Sequence, residues 1–393
     1  MPSDLDSEPS HPAMQSGGEH PWEADTLFPE SPDRDSYGFV VGRRPRICSR
    51  DELIQRCSRV QVPDIRLVWT PEALRLLPMT EVPMLQPAMD ARFRSAIRLS
   101  VFNVAAGLLM AFLVTRSGES ARVWPLWAVF FLVPAVRSLA DTVAARRAFQ
   151  RRRQQAPPWP PDRAARFAVW ISSRRTRVTQ ALVLGIVLVA VCQLARGLGP
   201  SVMAAGLVKD AVRHGQVWRL FTAGLLHAGI WHLAGNMAAL LALGRMVEIL
   251  AHWSRLAIVF LVSILAGNLF SLVLLPRTTS IGASGGLMGL LGFLLVLGIR
   301  LSRGLPPRFL RSLIGGALWV AATGIIAYAL IDNAAHLGGL LAGIGLGLAL
   351  VPRGGVLPLS AGPHLARAGF AAMAGLALVA VASVVVILTT ASP

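Results

Sequence analysis

The stretch Gly282-Ala283-Ser284-Gly285-Gly286 places a serine hydroxyl at the start of a long apolar segment, residues 287–299. A second apolar segment, residues 256–275, precedes it, and a short polar connection separates the two. Backbone N–H groups at a helix start lack intrahelical partners and carry partial positive charge. A serine beside free donors, with only small neighbours, predicts a site for acyl transfer.

The letters G-x-S-x-G also occur at the nucleophile elbow of α/β-hydrolases. That fold requires a strand before the serine and alternating strands and helices around it. Here both flanking segments are long apolar runs without the alternation of a strand. The soluble hydrolase fold is therefore excluded.

Composition points to a membrane protein. Of 393 residues, 54% are hydrophobic, and several runs reach the roughly 18–20 apolar residues that cross a bilayer. Because only helices satisfy the backbone of such runs in lipid, we predict an all-α polytopic membrane protein. The net charge is +17, and Lys209 is the only lysine. The arginines lie between apolar runs, which indicates membrane topology and not nucleic-acid binding.

The apolar runs divide the chain into five parts. We predict a cytoplasmic tail (1–96), largely disordered at its start, and an N-terminal transmembrane hairpin (97–140). A basic cytoplasmic linker (141–177) leads to the core (178–351), and a loop with a C-terminal span (352–393) completes the chain. Within the tail, Thr70-Pro71-Glu72 predicts the start of a short helix.

The distribution of arginine predicts nine spans, two in the hairpin and seven after it. The linker should lie on the cytoplasmic side and Trp218 on the opposite side. Heavy use of arginine and alanine suggests a bacterial source, so we expect a bacterial inner (cell) membrane. The three cysteines form no disulfide or metal-binding pattern.

Ionisable groups at membrane depth are candidates for function. His232 and Asn236 are four residues apart and share a helix face. His227 should lie about 140° away round the same helix and face elsewhere. That spacing is poor for a shared zinc ion, and no metal is expected. Glu248, near the other end of this span, is expected to make a structural hydrogen bond.

His336 lies near the start of its own span. Gly339, Gly343 and Gly347 follow it at helical spacing and form a stripe of small residues. Such a stripe lets another helix approach closely. If that helix is the one that starts at Ser284, His336 comes to lie beside the serine.

Together these features resemble the rhomboid family of intramembrane serine proteases. The residues that carry the resemblance are Trp218-Arg219, His227, His232, Asn236, Gly244, Glu248, Gly282-Ala283-Ser284-Gly285 and Ala335-His336-Leu337-Gly338-Gly339. The resemblance covers residues 178–351. It implies a rhomboid-like helical bundle, a six-helix core plus a C-terminal span, to which this chain adds its N-terminal hairpin.

The resemblance implies a Ser–His dyad. Ser284 would be the nucleophile, and His336 the general base and then the general acid. His232, Asn236 and the backbone N–H of Ser284 would bind the oxyanion. Asp332, one turn before His336, is left out of the site. Met288 occupies a position where the family often has a tyrosine that stacks on the catalytic imidazole.

The implied function is an intramembrane serine endopeptidase that cleaves transmembrane or membrane-anchored proteins. Its partners would be those substrates and the lipid bilayer, with no cofactor and no nucleic acid. The family implies a preference for small residues at the cut and for helix-weakening residues. It also suggests the span with Trp319 as a lateral gate. The alternative is a catalytically inactive rhomboid-like protein that binds transmembrane helices.

Overall fold

A computed structural model shows the architecture of the chain. It describes residues 20–25, 28–41, 44–59, 65–73, 75–116, 132–155, 161–306, 308–328 and 331–390. The described part is mostly helical, as the apolar runs predict, and the polytopic helical fold is confirmed.

A small antiparallel sheet, which was not predicted, forms within the first 96 residues. Its strands are β1 (Tyr37–Val41), β2 (Arg44–Cys48), β3 (Ile65–Trp69) and β4 (Leu77–Pro78), in the order β2-β1-β3-β4. Helix α1 (Arg50–Ser58) completes this N-terminal unit, and the Ser49 hydroxyl caps it by accepting from the Glu52 N–H. The buried core of the unit comprises Phe39, Leu53, Cys57, Ile65, Val68, Val82, Leu85 and Ala88.

The short helix predicted after Thr70 is wrong. Strand β3 ends at Trp69, and a turn closed by the Ala73 N–H on the Thr70 carbonyl (2.9 Å) leads towards β4. The helix does not form at Thr70 because pairing with β1 holds β3 extended and buries Trp69 completely.

The predicted hairpin and linker differ from expectation in their extents. Helices α2 (Gln86–Arg116) and α3 (Val133–Arg153) pack side by side, with the Ser100 and Ser138 hydroxyl oxygens 3.5 Å apart. Most of the second predicted span lies outside the described residues. The linker is largely helical, because α3 runs on to Arg153 and a further helix, α4 (Arg163–Ser173), starts from an Asp162 cap.

The connection after the first core span consists of three short helices. Helix α5 (Arg177–Arg196) is followed by α6 (Leu198–Ala205), α7 (Lys209–Arg213) and α8 (Arg219–Thr222). Arg219 is buried and donates to the carbonyls of Gly206 (2.8 Å) and Met203 (3.0 Å). It therefore fastens this connection and does not face the site.

The remaining helices form the membrane bundle. They are α9 (Ile230–Ala239), a π-helical turn (Leu240–Gly244) leading into α10 (Arg245–Ala251), α11 (Trp253–Leu274), α12 (Ser284–Arg300), α13 (Arg308–Ile326), α14 (Asn333–Leu350) and α15 (Pro363–Thr390). Within the described residues, six helical segments are long and apolar enough to cross a membrane: α5, α9 with α10, α11, α13, α14 and α15.

Helix α12 is shorter, with 17 residues, and is the most enclosed. Of those residues 13 are buried, so α12 stands inside the bundle and the longer helices surround it. With α12 included, seven helical segments in the described part of residues 177–390 lie where the seven spans after the hairpin were predicted.

The N-terminal unit lies at the end of the bundle where α12 finishes. His20 packs against Gly304, which follows the last turn of α12. Trp22 is fully buried against Phe167 and Trp170 of α4. This end is therefore opposite to Ser284.

Candidate active site

Ser284 is the first residue of α12, and the turn before it depends on glycine. Gly282 has φ +130°, a conformation that favours glycine. Its N–H donates to the Ala223 carbonyl (2.9 Å). A Cβ at Gly282 would lie 2.9 Å from Cε1 of His232. Only glycine therefore allows this turn to approach the histidine while it leads into Ser284.

Helices α12 and α14 touch backbone to backbone. A Cβ at Gly339 would overlap the Gly285 carbonyl oxygen, and one at Gly343 would overlap that of Gly289. The Ala335 carbonyl lies 3.5 Å from the Cβ position of Gly285. The expectation that the glycine stripe packs on the helix of Ser284 is confirmed.

This packing sets the relative level of the two predicted catalytic residues. Gly285 directly follows Ser284, and Ala335 directly precedes His336. Their contact brings the serine and the histidine to one level of the bundle. The two side chains, both described, are not hydrogen-bonded to each other, and such contacts are often long in free enzymes.

His232 and Asn236 of α9 face the same turn. The Asn236 amide nitrogen is 3.8 Å from the Cβ position of Gly282, is buried, and has no acceptor among the described residues. The His232 Nδ1 accepts from the Ala228 N–H (3.4 Å), so the neutral ring carries its proton on Nε2. That atom is 3.1 Å from the same Cβ position. Two donors are thus directed at the turn that precedes Ser284.

The prediction that His227 faces elsewhere is wrong. Helix α9 begins at Ile230, after a break at Gly229 (φ +146°), so the helical angle does not apply to His227. The Gln193 side chain fixes its backbone by accepting from the His227 N–H (2.9 Å) and donating to its carbonyl (3.3 Å). The ring meets His232 edge-on at 5.2 Å between centroids.

The buried ring of His227 packs against that of His232. Its side chain is buried, and burial, with a smaller contribution from the His232 ring, lowers the pKa of His227 to about 4. An uncharged ring can lie against His232 without repelling it. Sequence spacing missed this contact because it depends on where the helix starts.

Among the described residues, the Asp332 carboxylate makes no hydrogen bond to the His336 ring. Its Oδ1 accepts from the Ala335 N–H (2.9 Å) and caps α14, and its Oδ2 accepts from the Ser271 hydroxyl. Both oxygens of this carboxylate are thus engaged by groups other than the imidazole. Met288 is buried in the core one turn after Ser284.

Glu248 has the structural role that was expected. Its carboxylate accepts from the backbone N–H groups of Val178 (3.0 Å) and Thr179 (2.8 Å) and from the Thr179 hydroxyl. A carboxylate at a helix start is favoured by the helix dipole. Among the described residues, no group of three His, Cys, Asp or Glu side chains could hold a metal ion.

Fold and site together define a polytopic helical membrane protein with a serine and a histidine on touching helices. Residues 214–353 match the family model of the Rhomboid domain. This match and the similarity to rhomboid-like proteins support a member of the rhomboid family.

Three relatives illustrate the range of the family. RHOMBOID-like protein 6, mitochondrial, of Arabidopsis thaliana is 35% identical over 165 residues, 36% of this chain and 47% of the relative. RHOMBOID-like protein 1 of the same plant is 36% identical over 163 residues, 40% and 41% of the two chains. Inactive rhomboid protein 1 of Rattus norvegicus is 35% identical over 141 residues, 35% and 16%. Each alignment spans less than half of the relative's length.

Proposed function

We propose that this integral multi-pass membrane protein is an intramembrane serine endopeptidase. Its substrates would be transmembrane or membrane-anchored proteins. The observation that carries the proposal is the backbone contact of Gly285 with Ala335 and Gly339, which brings Ser284 and His336 to one level. The donors of His232 and Asn236, directed at the turn before Ser284, support it.

Acylation would proceed in two steps. The Ser284 Oγ attacks the carbonyl carbon of the scissile peptide bond, and its proton passes to His336. The carbonyl oxygen becomes an oxyanion that accepts from His232, Asn236 and the Ser284 N–H. His336 then gives the proton to the leaving nitrogen, the C–N bond breaks, and an acyl-enzyme ester remains.

Deacylation would reverse these roles. Water attacks the ester carbon and gives a proton to His336, and a second oxyanion forms at the same donors. When it collapses, His336 returns the proton to the Ser284 Oγ and the new carboxyl terminus is released. No cofactor enters either half of the reaction.

The substrate must expose a peptide carbonyl that a membrane helix normally hides. Family analogy therefore favours substrates with helix-weakening residues and small residues at the cut. The same analogy makes α13, which carries Trp319, the lateral gate. Leu318 and Ile325 on this helix are 66% and 76% exposed, which suits a helix that borders lipid. We propose a bacterial cell membrane, and composition alone supports this location. The relatives described above are plant and mammalian proteins.

The alternative is an inactive rhomboid-like protein that binds transmembrane helices. The similarity to a relative named an inactive rhomboid favours it. The presence of Ser284, His336, His232 and Asn236 favours the protease.

One experiment separates the two. The purified full chain and its Ser284→Ala variant are placed in liposomes with a panel of single-span substrates, and cleavage and co-purification are both measured. The protease cleaves at least one substrate only when Ser284 is present. Helix binding by both proteins with cleavage by neither would establish the alternative.

A further inference from the structure

A buried lysine lies at the same end of the bundle as Ser284, and the proposed reaction does not use it. Lys209, in α7, is 2% exposed. Its ammonium group donates to the hydroxyls of Thr278 (2.9 Å) and Ser280 (2.9 Å). Burial lowers the pKa of Lys209, and the charge of Asp332 acts in the opposite direction. A buried ammonium is costly unless its hydrogen bonds are made, so this position is a specific one.

Two serines connect the lysine to the carboxylate. The Ser280 hydroxyl oxygen is 3.0 Å from that of Ser271 in α11, and Ser271 donates to Asp332. A lysine only donates and a carboxylate only accepts. The hydroxyls must therefore point the same way, with Ser280 donating to Ser271. Both serines are buried, so the middle of the chain is shielded from water, whereas Asp332 at its end is half-buried.

One end of this polar chain holds the segment that leads into Ser284. Ser280 exchanges backbone hydrogen bonds with Leu207 (3.0 and 3.4 Å), two residues before Lys209. Two residues after Ser280, the Gly282 N–H donates to the Ala223 carbonyl. Lys209 thus fastens the outer part of a segment that has only three more residues before the serine.

The other end holds the start of the helix that carries His336. Asp332 caps α14 through the Ala335 N–H, and its own carbonyl accepts from the His336 N–H (3.1 Å). Any change in the position of Asp332 therefore moves the first turn of α14, which contains the histidine.

We propose that Lys209 and Asp332, linked through Ser280 and Ser271, are positioning residues for the Ser284–His336 pair. This inference rests on the proposed protease function. Hydrogen bonds to charged groups are stronger than neutral ones, and a chain of them is polarised along its length. The chain supplies a second tie between the two catalytic elements, besides the glycine contacts within the bundle. Because a displacement of about 1 Å can cost about a hundredfold in rate, such a tie matters for turnover.

The test uses the full chain in liposomes with a cleaved substrate. The variants are Lys209→Met, Asp332→Asn, their combination, and Ser271→Ala. Asparagine is a good N-cap, so Asp332→Asn keeps the cap of α14 through its oxygen, removes the charge and replaces the acceptor that faces Ser271 with an amide donor. The control is Arg213→Met, which removes an exposed cation one turn after Lys209 in the same helix. We measure kcat, KM, Tm, and the rate at which a fluorophosphonate labels Ser284.

We expect Lys209→Met and Asp332→Asn each to lower kcat by about ten- to a hundredfold, with KM changed less than about twofold. The labelling rate should fall with kcat, because the probe needs only an aligned serine. The double variant should be no worse than the poorer single one, since both break one chain. Arg213→Met should stay within about twofold of wild type.

Two results would overturn the positioning roles while the protease function stands. One is a lowered Tm with unchanged kcat and labelling in the charge variants, and the other is additive losses in the double variant. If Lys209→Met does not fold, Ser271→Ala decides, because it breaks the chain by losing one atom, and a normal kcat there contradicts the proposal. A wild type without Ser284-dependent cleavage overturns the proposed function, and the positioning roles fall with it.

Discussion

Two buried polar side chains, Asn236 and Arg166, lie at opposite ends of the bundle and differ in their hydrogen bonding. At the serine end, where α12 begins, the buried amide nitrogen of Asn236 has no protein acceptor among the described residues. At the arginine end, where α12 finishes, buried Arg166 donates to both carboxylate oxygens of Glu81 and to Asp25, at 2.9 Å each. Asn236 thus keeps a donor available for a ligand, whereas Arg166 uses its donors to hold the N-terminal unit.

The difference separates chemistry from anchoring. An unpaired buried donor costs free energy in the resting protein, and tight glycine packing nearby supplies the compensating contacts. A buried charge with every partner in place gives a rigid joint instead. Substitutions at the serine end should therefore change turnover, and those at the arginine end should change stability.

The largest expected effect is the loss of either dyad member. Ser284→Ala and His336→Ala should each lower kcat at least about a thousandfold, because nucleophile and base act as one unit. Thermal unfolding should stay near that of wild type, since neither side chain is in the tightest packing. Near-normal turnover in a folded preparation of either variant would contradict the assignment.

The next effect tests the glycine contact. In Gly343→Ala the new methyl group overlaps the Gly289 carbonyl, so α14 must move away from α12. We expect a loss of about 1–3 kcal/mol in the free energy of unfolding and a fall in kcat of about a hundredfold. The matched control is Gly345→Ala in the same helix, where a Cβ meets nothing within 4 Å. Equal effects of the two variants would show that the stripe does not set the site.

A smaller loss is expected for the oxyanion donors. Asn236→Ala should lower kcat about ten- to a thousandfold, nearer the lower figure, because His232 and the Ser284 amide remain. KM should change less, since these donors act mainly in the transition state. His227→Ala should cost less than His232→Ala. If Asn236→Ala lowers Tm and leaves kcat unchanged, Asn236 only links helices.

The smallest effect on cleavage is expected at the arginine end. Arg166→Met leaves Glu81 buried without its partner, which should destabilise the docking of the N-terminal unit by about 3–5 kcal/mol. Limited proteolysis would detect this as faster cutting, whereas kcat should stay within about twofold. Adding Glu81→Leu should restore much of the resistance. A loss of turnover comparable to that of Asn236→Ala would show that the two ends are coupled.

Much of the bundle is predictable because a long apolar run in lipid can satisfy its backbone hydrogen bonds only as a helix or in a closed barrel. The run predicted over residues 256–275 is α11 (Trp253–Leu274), and the serine at 284 starts its helix as expected. The stripe after His336 could be placed against α12 because small residues in a membrane helix let another helix approach closely.

The missed features depend on distant partners or on a break in a helix. Strand β1 pairs through Phe39 with Val68, and no local pattern reports that pairing. The chain is not helical at Gly229, so the helical angle between His227 and His232 does not predict where His227 lies. Lys209 meets hydroxyls 69 and 71 residues away. The one feature of the sequence that singled it out is that it is the only lysine in an arginine-rich chain.

Because Lys209 is the only lysine, its side chain can report when the serine end of the bundle opens. It carries the only ε-amine of the chain, and that amine is enclosed in the folded protein. An amine-reactive dye should therefore leave the interior of the folded chain unmodified, so dye at residue 209 counts the molecules whose serine end has come open. A lysine-specific protease would likewise cut the chain once, after residue 209, and only in those molecules. The opening of the site can thus be timed by mass spectrometry without introducing a label.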